Sequence, residues 1–173
     1  TLYKTLPYDL NRELTGVGLI AASSETLIAN NAVPAKTVKE LVALAKEKPG
    51  QLNVGSAGVG SIMHLSIVML SDEAHIKLTH IPYKGAAPAI TDVLGGQVQL
   101  AFVGTPAAVA LINDHRVIGI ASTGGDRDAL LQQLPTFSEA GFPDFKVEVT
   151  YGFWAPKATP KPIIDQLNAA LVK

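Results

Sequence analysis

The middle of the chain repeats one local arrangement three times. A short apolar run ends in a loop of small residues, and a helical pattern starts at once. The first copy is Leu52–Gly55, the loop Ser56–Gly60, and a helix from Ser61 to about Leu70. The second is Leu78–Tyr83, Lys84-Gly85-Ala86, and a helix near Ala87–Leu94. The third is Val98–Val103, Gly104-Thr105, and Pro106–Ile112. Strands that alternate with helices predict an α/β fold with a mostly parallel sheet, because parallel neighbours must be joined by a crossover. Ser61 and Thr105 are expected to cap two of the helices, and Pro88 and Pro106 suit first-turn positions.

The flanks extend this pattern. Gly16–Ala22 and Thr26–Asn30 read as two short strands, and Asn31–Pro34 as a turn. Thr37–Lys46 reads as a helix with Val38, Leu41, Val42 and Ala45 on one face, stopped by Lys48-Pro49-Gly50. After the third copy come a strand at Val117–Ser122, a polar turn at Gly124–Asp128 and a short helix at Thr136–Ala140 ended by Gly141. A last strand at Val147–Trp154 precedes an amphipathic helix, Pro160–Val172, with Ile163, Ile164, Leu167 and Leu171 inward.

Composition narrows the function. Hydrophobic residues make up 47% and charged residues 17%, a globular balance that argues against disorder. The formal net charge is −1, so no basic excess points to nucleic acid or to an anionic membrane. An anionic ligand must therefore be held by local dipoles or by a few side chains. The absence of cysteine removes disulfides and thiolate metal sites. Apolar stretches are too short to span a bilayer. The chain starts at Thr1 without a signal-like run, and a segment upstream of it is expected.

In a parallel α/β sheet, the strand carboxyl ends and the helix amino ends share one edge, where ligands bind. First-turn amides there have no internal partner and, with the helix dipole, favour an anion. The candidate binding residues are Ser56, Ala57, Gly58, Gly60 and Ser61 of the first loop, with His64 on the following turn. Lys84, Gly85 and Ala86 come from the second loop and Thr105 from the third. Glycines let a ligand approach the backbone, and the serines add hydroxyls. Each feature also has a plain structural reading. The glycines serve a tight turn equally well, Lys84 is otherwise a solvated surface lysine, and a lone His64 otherwise satisfies the fold.

Sharper chemistry finds no support. The first loop lacks the Gly-Lys-Ser/Thr ending of a phosphate-binding loop, and Met63 stands where a dinucleotide fingerprint needs a third glycine. No histidine pair has metal spacing beside a carboxylate, so no metal and no cofactor is expected. No nucleophile elbow occurs, and Asp92 and Asp114 read as isolated helix-end acids. A non-catalytic binding protein is expected. A transferase using Gly55–Ser61 as an oxyanion cradle is the alternative class.

The residues resemble the Bug-type receptors of tripartite tricarboxylate transporters over nearly the whole length. The resemblance is carried by Leu2-Tyr3-Lys4 through Leu6-Pro7-Tyr8-Asp9, Val33-Pro34-Ala35-Lys36-Thr37 and Ser56-Ala57-Gly58 with Gly60-Ser61 and His64-Leu65. Most specific is Pro82-Tyr83-Lys84-Gly85-Ala86-Ala87-Pro88-Ala89, followed by Asp92-Val93-Leu94-Gly95-Gly96-Gln97. Leu134-Pro135-Thr136, Glu139-Ala140-Gly141 and Thr159-Pro160-Lys161-Pro162 complete the series.

The resemblance implies a periplasmic (extracytoplasmic) receptor of the periplasmic binding protein-like type II architecture, two lobes closing on a small carboxylate. It implies hand-over to membrane permease subunits. Residues 1–30 are then the hinge and a remnant of the first lobe. Residues 31–122 form the second lobe with the carboxylate loops, and 123–173 return to the first. Two departures stand out. The first lobe's Pro-Gly-Gly loop has no counterpart, so the chain is expected to be a fragment that is ligand-dead or completed by a homodimer or companion fragment. Val103-Gly104 follows Phe102 where many relatives carry Asp or Asn, which puts a polar contact to the solute in doubt.

Overall fold

The computed structural model describes residues 7–172. The motif residues Leu2–Leu6 lie outside the described part. The elements in order are α1 (Leu10–Glu13), β1 (Leu14–Ala29), α2 (Val38–Glu47), β2 (Asn53–Ser56), α3 (Ile62–Glu73) and β3 (Thr79–Pro82). They continue with α4 (Ala86–Leu94), β4 (Leu100–Gly104), α5 (Thr105–Asn113), β5 (Ile118–Ser122), β6 (Glu148–Pro156) and α6 (Lys161–Leu171). The chain divides into two compact units, Ser23–Glu148 and the pair of segments before and after it. The larger unit is wider at both ends than the 31–122 span read from the sequence.

In the larger unit the strand order is β3-β2-β4-β1-β5. β2 runs parallel to β3 and to β4, whereas β1 is antiparallel to both β4 and β5. Four strands therefore share one direction, and the sheet is mostly parallel with a single reversed strand inside it. Alternation along β1 and β4 feeds two cores. Leu27, Ala29, Leu100 and Phe102 join Val38 and Leu41 of α2 and Met63, Ile67 and Leu70 of α3. Ile28, Ala101 and Val103 join Val93 of α4 and Ala108 of α5 on the other face.

Three expectations change here. Ser23–Glu25 reads as a break, but β1 runs straight through it. The Glu25 amide donates to the Thr123 hydroxyl (2.9 Å), the Thr123 amide donates to the Glu25 carbonyl (2.8 Å), and Glu25 lies opposite Gly104. Thr136–Ala140 is a turn and not a helix. Thr136 and Glu139 exchange two bonds, the Thr136 amide to the Glu139 carboxylate (2.9 Å) and the Glu139 amide to the Thr136 hydroxyl (3.1 Å). Gly141, at φ +101°, then ends the winding after one turn. Thr105 is the first residue of α5, and its N-cap is Gly104.

In the smaller unit β6 pairs with the first half of β1. The strands pass closely at Gly152, where a Cβ would stand 3.1 Å from the Gly18 carbonyl oxygen. The Asn168 side-chain amide donates to the Val17 carbonyl (2.7 Å) and ties α6 to β1. The expected inward face of α6 is only partly covered: Ile163 and Leu167 are exposed at 47% and 45%. A groove of about 220 Å³ runs between Val17, Phe153, Trp154, Leu167 and Leu171. With two strands as its support among the described residues, α6 has too little sheet to bury a full face.

Candidate functional site

The shared direction of β2, β3, β4 and β5 brings their carboxyl ends to one edge of the larger unit. The starts of α3, α4 and α5 fall on the same edge. Because β1 runs the other way, Ser24 and Glu25 enter the sheet there too, Glu25 facing Gly104.

The Ser56–Ser61 loop is held by its own side chains. The Ser56 hydroxyl accepts from the Gly58 amide (3.1 Å), and the Ser61 hydroxyl donates to the Gly58 carbonyl (2.8 Å). Ser61 also caps α3 by accepting from the His64 amide (3.2 Å), as its position predicts. Gly58 adopts φ +130°, and a Cβ there would stand 3.2 Å from the Tyr83 carbonyl oxygen. That is a glycine position for two reasons, the dihedral and the close approach of the second loop. The Gly85 amide donates to the Ala57 carbonyl (3.2 Å) and the Tyr83 amide to the Ser56 carbonyl (3.0 Å). The first two predicted loops are therefore one assembly.

His64 faces this assembly. The Gly60 amide donates to its Nδ1 (3.1 Å). An amide can only donate, so the neutral ring carries its proton on Nε2. His64 stacks on His80 with ring centroids 4.1 Å apart, and His80 Nε2 lies 2.6 Å from the Ser56 hydroxyl. Burial, and then the neighbouring His64, hold His80 below the ordinary histidine value. His80 is a neighbour of the candidate site that sequence reading missed, since its five-residue spacing from His75 carries no signal. The Ser56–His80 contact has the form of a nucleophile and its base. Ser56 is fully buried, however, and no carboxylate partner of His80 occurs among the described hydrogen bonds.

Lys84 is exposed, and no hydrogen bond or ion pair of its side chain occurs among the described residues. Gly85 caps α4 at φ +118° with no side-chain cap bond. Gly104 likewise leaves α5 without a side-chain cap, in contrast to α2 with its Thr37–Glu40 capping box and to α3. The first-turn amides from Ala86 and from Thr105 onward are thus not met by a capping side chain. The Thr105 hydroxyl is committed elsewhere. It lies 2.8 Å from the Ser24 hydroxyl and 2.9 Å from that of Thr26, and fastens β1 to the start of α5. Asp92 is not an isolated exposed acid as its sequence reads. It is half-buried and accepts from the Tyr83 hydroxyl at 2.5 Å. Burial, aided by that bond, pushes the Tyr83 phenol up to about 12. The described residues hold no group of three metal-ligating side chains.

The tripartite tricarboxylate transporter family receptor description matches residues 1–173. The chain belongs to this family. A protein of Agrobacterium vitis is 35% identical over 98% of this chain and 49% of its own length. BugT of Bordetella pertussis is 29% identical over 97% of this chain and 52% of its own. The chain thus spans about half the length of the curated relatives it matches. Among solved structures, an R. palustris protein with adipate superposes with a TM-score of 0.92 at 31% identity, covering 98% of this chain and 56% of that one. MatC from Rhodopseudomonas palustris with bound malate gives 0.88 at 30%, covering 99% and 58%. These likenesses establish the periplasmic binding protein fold for the family member described here.

Proposed function

We propose that this receptor-family chain captures a small carboxylate outside the cytoplasm, without chemistry, for the permease subunits of a tripartite transporter. The observation that carries the reading is the pair of helix starts, α4 and α5, whose amides meet no side-chain cap at the edge where the Ser56–Ser61 and Lys84–Ala86 loops join. Such amides favour an anion. The exposed Lys84 ammonium stands at the same turn as a counter-charge. The Nε2–H of His64 adds a neutral donor. The carboxylates named with two structural neighbours, adipate and malate, suit this donor set. The ligand contacts proposed are Ala57, Gly58, Gly60, Ser61, His64, Lys84, Gly85, Ala86 and Thr105, while the sequence candidate Ser56 is fully buried with its hydroxyl on Gly58 and His80 and braces the loop from within. Thr105 acts through its amide, since its hydroxyl is taken.

A thermal-shift series with succinate, malate, adipate and citrate tests the reading. A ligand that binds only the folded form raises the midpoint with concentration. A rise with at least one acid, reduced when Lys84 is replaced by Met, is expected. A flat response to all four up to millimolar concentration means that this chain alone is ligand-dead, and removes the reading for it.

A further inference from the structure

The Ser56–Ser61 loop rests on two stacked histidines, and the carboxylate-capture reading uses only one of them. The rings of His64 and His80 lie 4.1 Å apart at 20° to each other. Hydrogen bonds set where each ring carries its hydrogen. Ser56 Oγ has three contacts: it accepts from the Gly58 amide (3.1 Å), donates to the Gly58 carbonyl (3.2 Å) and lies 2.6 Å from His80 Nε2. A hydroxyl has one hydrogen and two lone pairs, so all three are filled when His80 Nε2 donates to Ser56. His80 Nδ1 has no partner among the described hydrogen bonds, and the residue is half-exposed. His80 can therefore take a proton on Nδ1 without giving up a contact. His64 cannot: its Nδ1 already accepts from the Gly60 amide (3.1 Å), and a proton there would meet that N–H head-on. Few charges surround His80. β3 packs on β2, which carries no titratable side chain, and on α3, which brings His64 to the ring and has Asp72 and Glu73 only at its far end. Lys77 and Lys84 flank β3 along the chain. Burial, and then His64, hold His80 below the ordinary histidine value, and no carboxylate offsets them.

We propose that His80 is a proton-binding site linked to solute capture, so that an anionic solute is taken up together with a proton on this ring. This rests on the carboxylate-capture reading above, which puts the solute on the Nε2–H of His64. A carboxylate there stands beside the ring stacked on His64, and a nearby anion favours the charged imidazole. Without the anion, a charge on His80 meets only a second imidazole and a partly dry surrounding. The linkage is reciprocal: the anion raises the affinity for the proton, and the proton raises the affinity for the anion. The free ring is neutral at neutral pH, because its value is depressed. Capture therefore takes up a proton and tightens as pH falls towards the free value of His80. Below that value both forms hold the proton, and the dependence ends.

The test is calorimetric titration of the full chain with malate at pH 5.5, 6.5 and 7.5, each in two buffers of unlike ionisation enthalpy, which counts the protons exchanged. His80→Gln keeps a donor for Ser56, and His80→Phe keeps a ring for His64; neither can take the proton. Protonation of malate itself is common to all three proteins and cancels in their difference. Relative to the variants, the wild type is expected to take up roughly half a proton per malate at pH 6.5. Its affinity should gain on the order of fivefold over theirs between pH 7.5 and 5.5. If circular dichroism finds one variant unfolded, the other carries the comparison. Malate bound by the wild type at pH 6.5 with no proton taken up overturns the assignment without recourse to a variant. Equal uptake by wild type and variants overturns it as well, because the proton then sits on another group. So does a loss of affinity in the variants that is the same at every pH, because His80 then only braces Ser56. No binding of malate, succinate, adipate or citrate at any pH removes the capture reading and this assignment with it, a result distinct from each of the others.

Discussion

Replacing Glu25 by Gln should abolish a specific slope in stability against pH. The carboxyl ionises near 4.5 in the unfolded chain and near 7 in the folded one, because burial disfavours its charge. Below pH 4.5 both states hold the proton, and the residue contributes no slope. Between 4.5 and 7 the folded state holds a proton that the unfolded state has released, so each rise in pH favours unfolding. Above 7 both are ionised and the slope ends. At about 1.4 kcal/mol per pH unit, the folded chain loses about 3 kcal/mol across this window. His80 works in the opposite sense. Its folded value is depressed, so its contribution is lost as pH falls through the ordinary histidine range. That term is common to both proteins and cancels in their difference. Guanidinium unfolding followed by far-ultraviolet circular dichroism at pH 4.5, 5.5, 6.5 and 7.5 gives the two curves. The wild type should fall relative to Glu25→Gln by about 3 kcal/mol from the lowest to the highest pH. The amide of Gln is itself unpartnered, which adds an offset independent of pH. A difference that stays flat across the range would refute the idea that Glu25 is buried without a partner.

Ser61→Ala removes the side-chain cap of α3, and a loss of about 1 kcal/mol is expected by chemical denaturation; a smaller effect than for an exposed serine elsewhere would contradict the capping role. Gly58→Ala meets both a left-handed backbone and the Tyr83 carbonyl, whereas Gly85→Ala meets only the backbone conformation, so thermal melts should rank Gly58→Ala as the more damaging of the two. Leu19, Ile20, Tyr151, Phe153 and Trp154 are exposed in the smaller unit, and sedimentation of the isolated chain should show self-association. Phe153→Ser together with Trp154→Ser should shift it towards monomer.

The alternation of strands and helices was readable because each strand–loop–helix copy carries its own punctuation: glycine at the turn, and serine or proline at the helix start. The Ser56–Ser61 and Lys84–Ala86 loops followed from that same punctuation. The direction of β1 was not readable. Leu27, Ile28 and Ala29 are apolar in succession whichever way the strand runs, and only the partners at Leu100–Gly104 and Ile118–Ser122 decide it. The turn at Thr136 carries an honest helix-start signal, Thr followed by Glu three residues on, which Gly141 cuts short. Phe137 and Phe145 then pack together with tilted rings 4.4 Å apart and join Phe102, so tertiary packing takes up the segment. His80 and Glu25 stayed hidden because a lone histidine in a strand and a lone glutamate between polar neighbours have no pattern. Their roles come from what the fold places beside them.

The reversed strand in the sheet also governs how the molecule is made. Thr26 and Thr105, whose hydroxyls meet, are 79 residues apart in the chain, and Glu25 and Thr123 are 98 apart. Contacts of such separation close large loops before they return any stabilisation, which slows folding. β2, β3 and β4 can assemble from neighbouring crossovers, but β1 meets its first partner only when Leu100–Gly104 has been made and its second only with Ile118–Ser122. Until β4 is made, the run Leu27-Ile28-Ala29 has no partner on either side, and it is open to capture by a chaperone or by another copy. An interior strand that precedes both of its partners in the chain stays unpaired until the first of them has followed it.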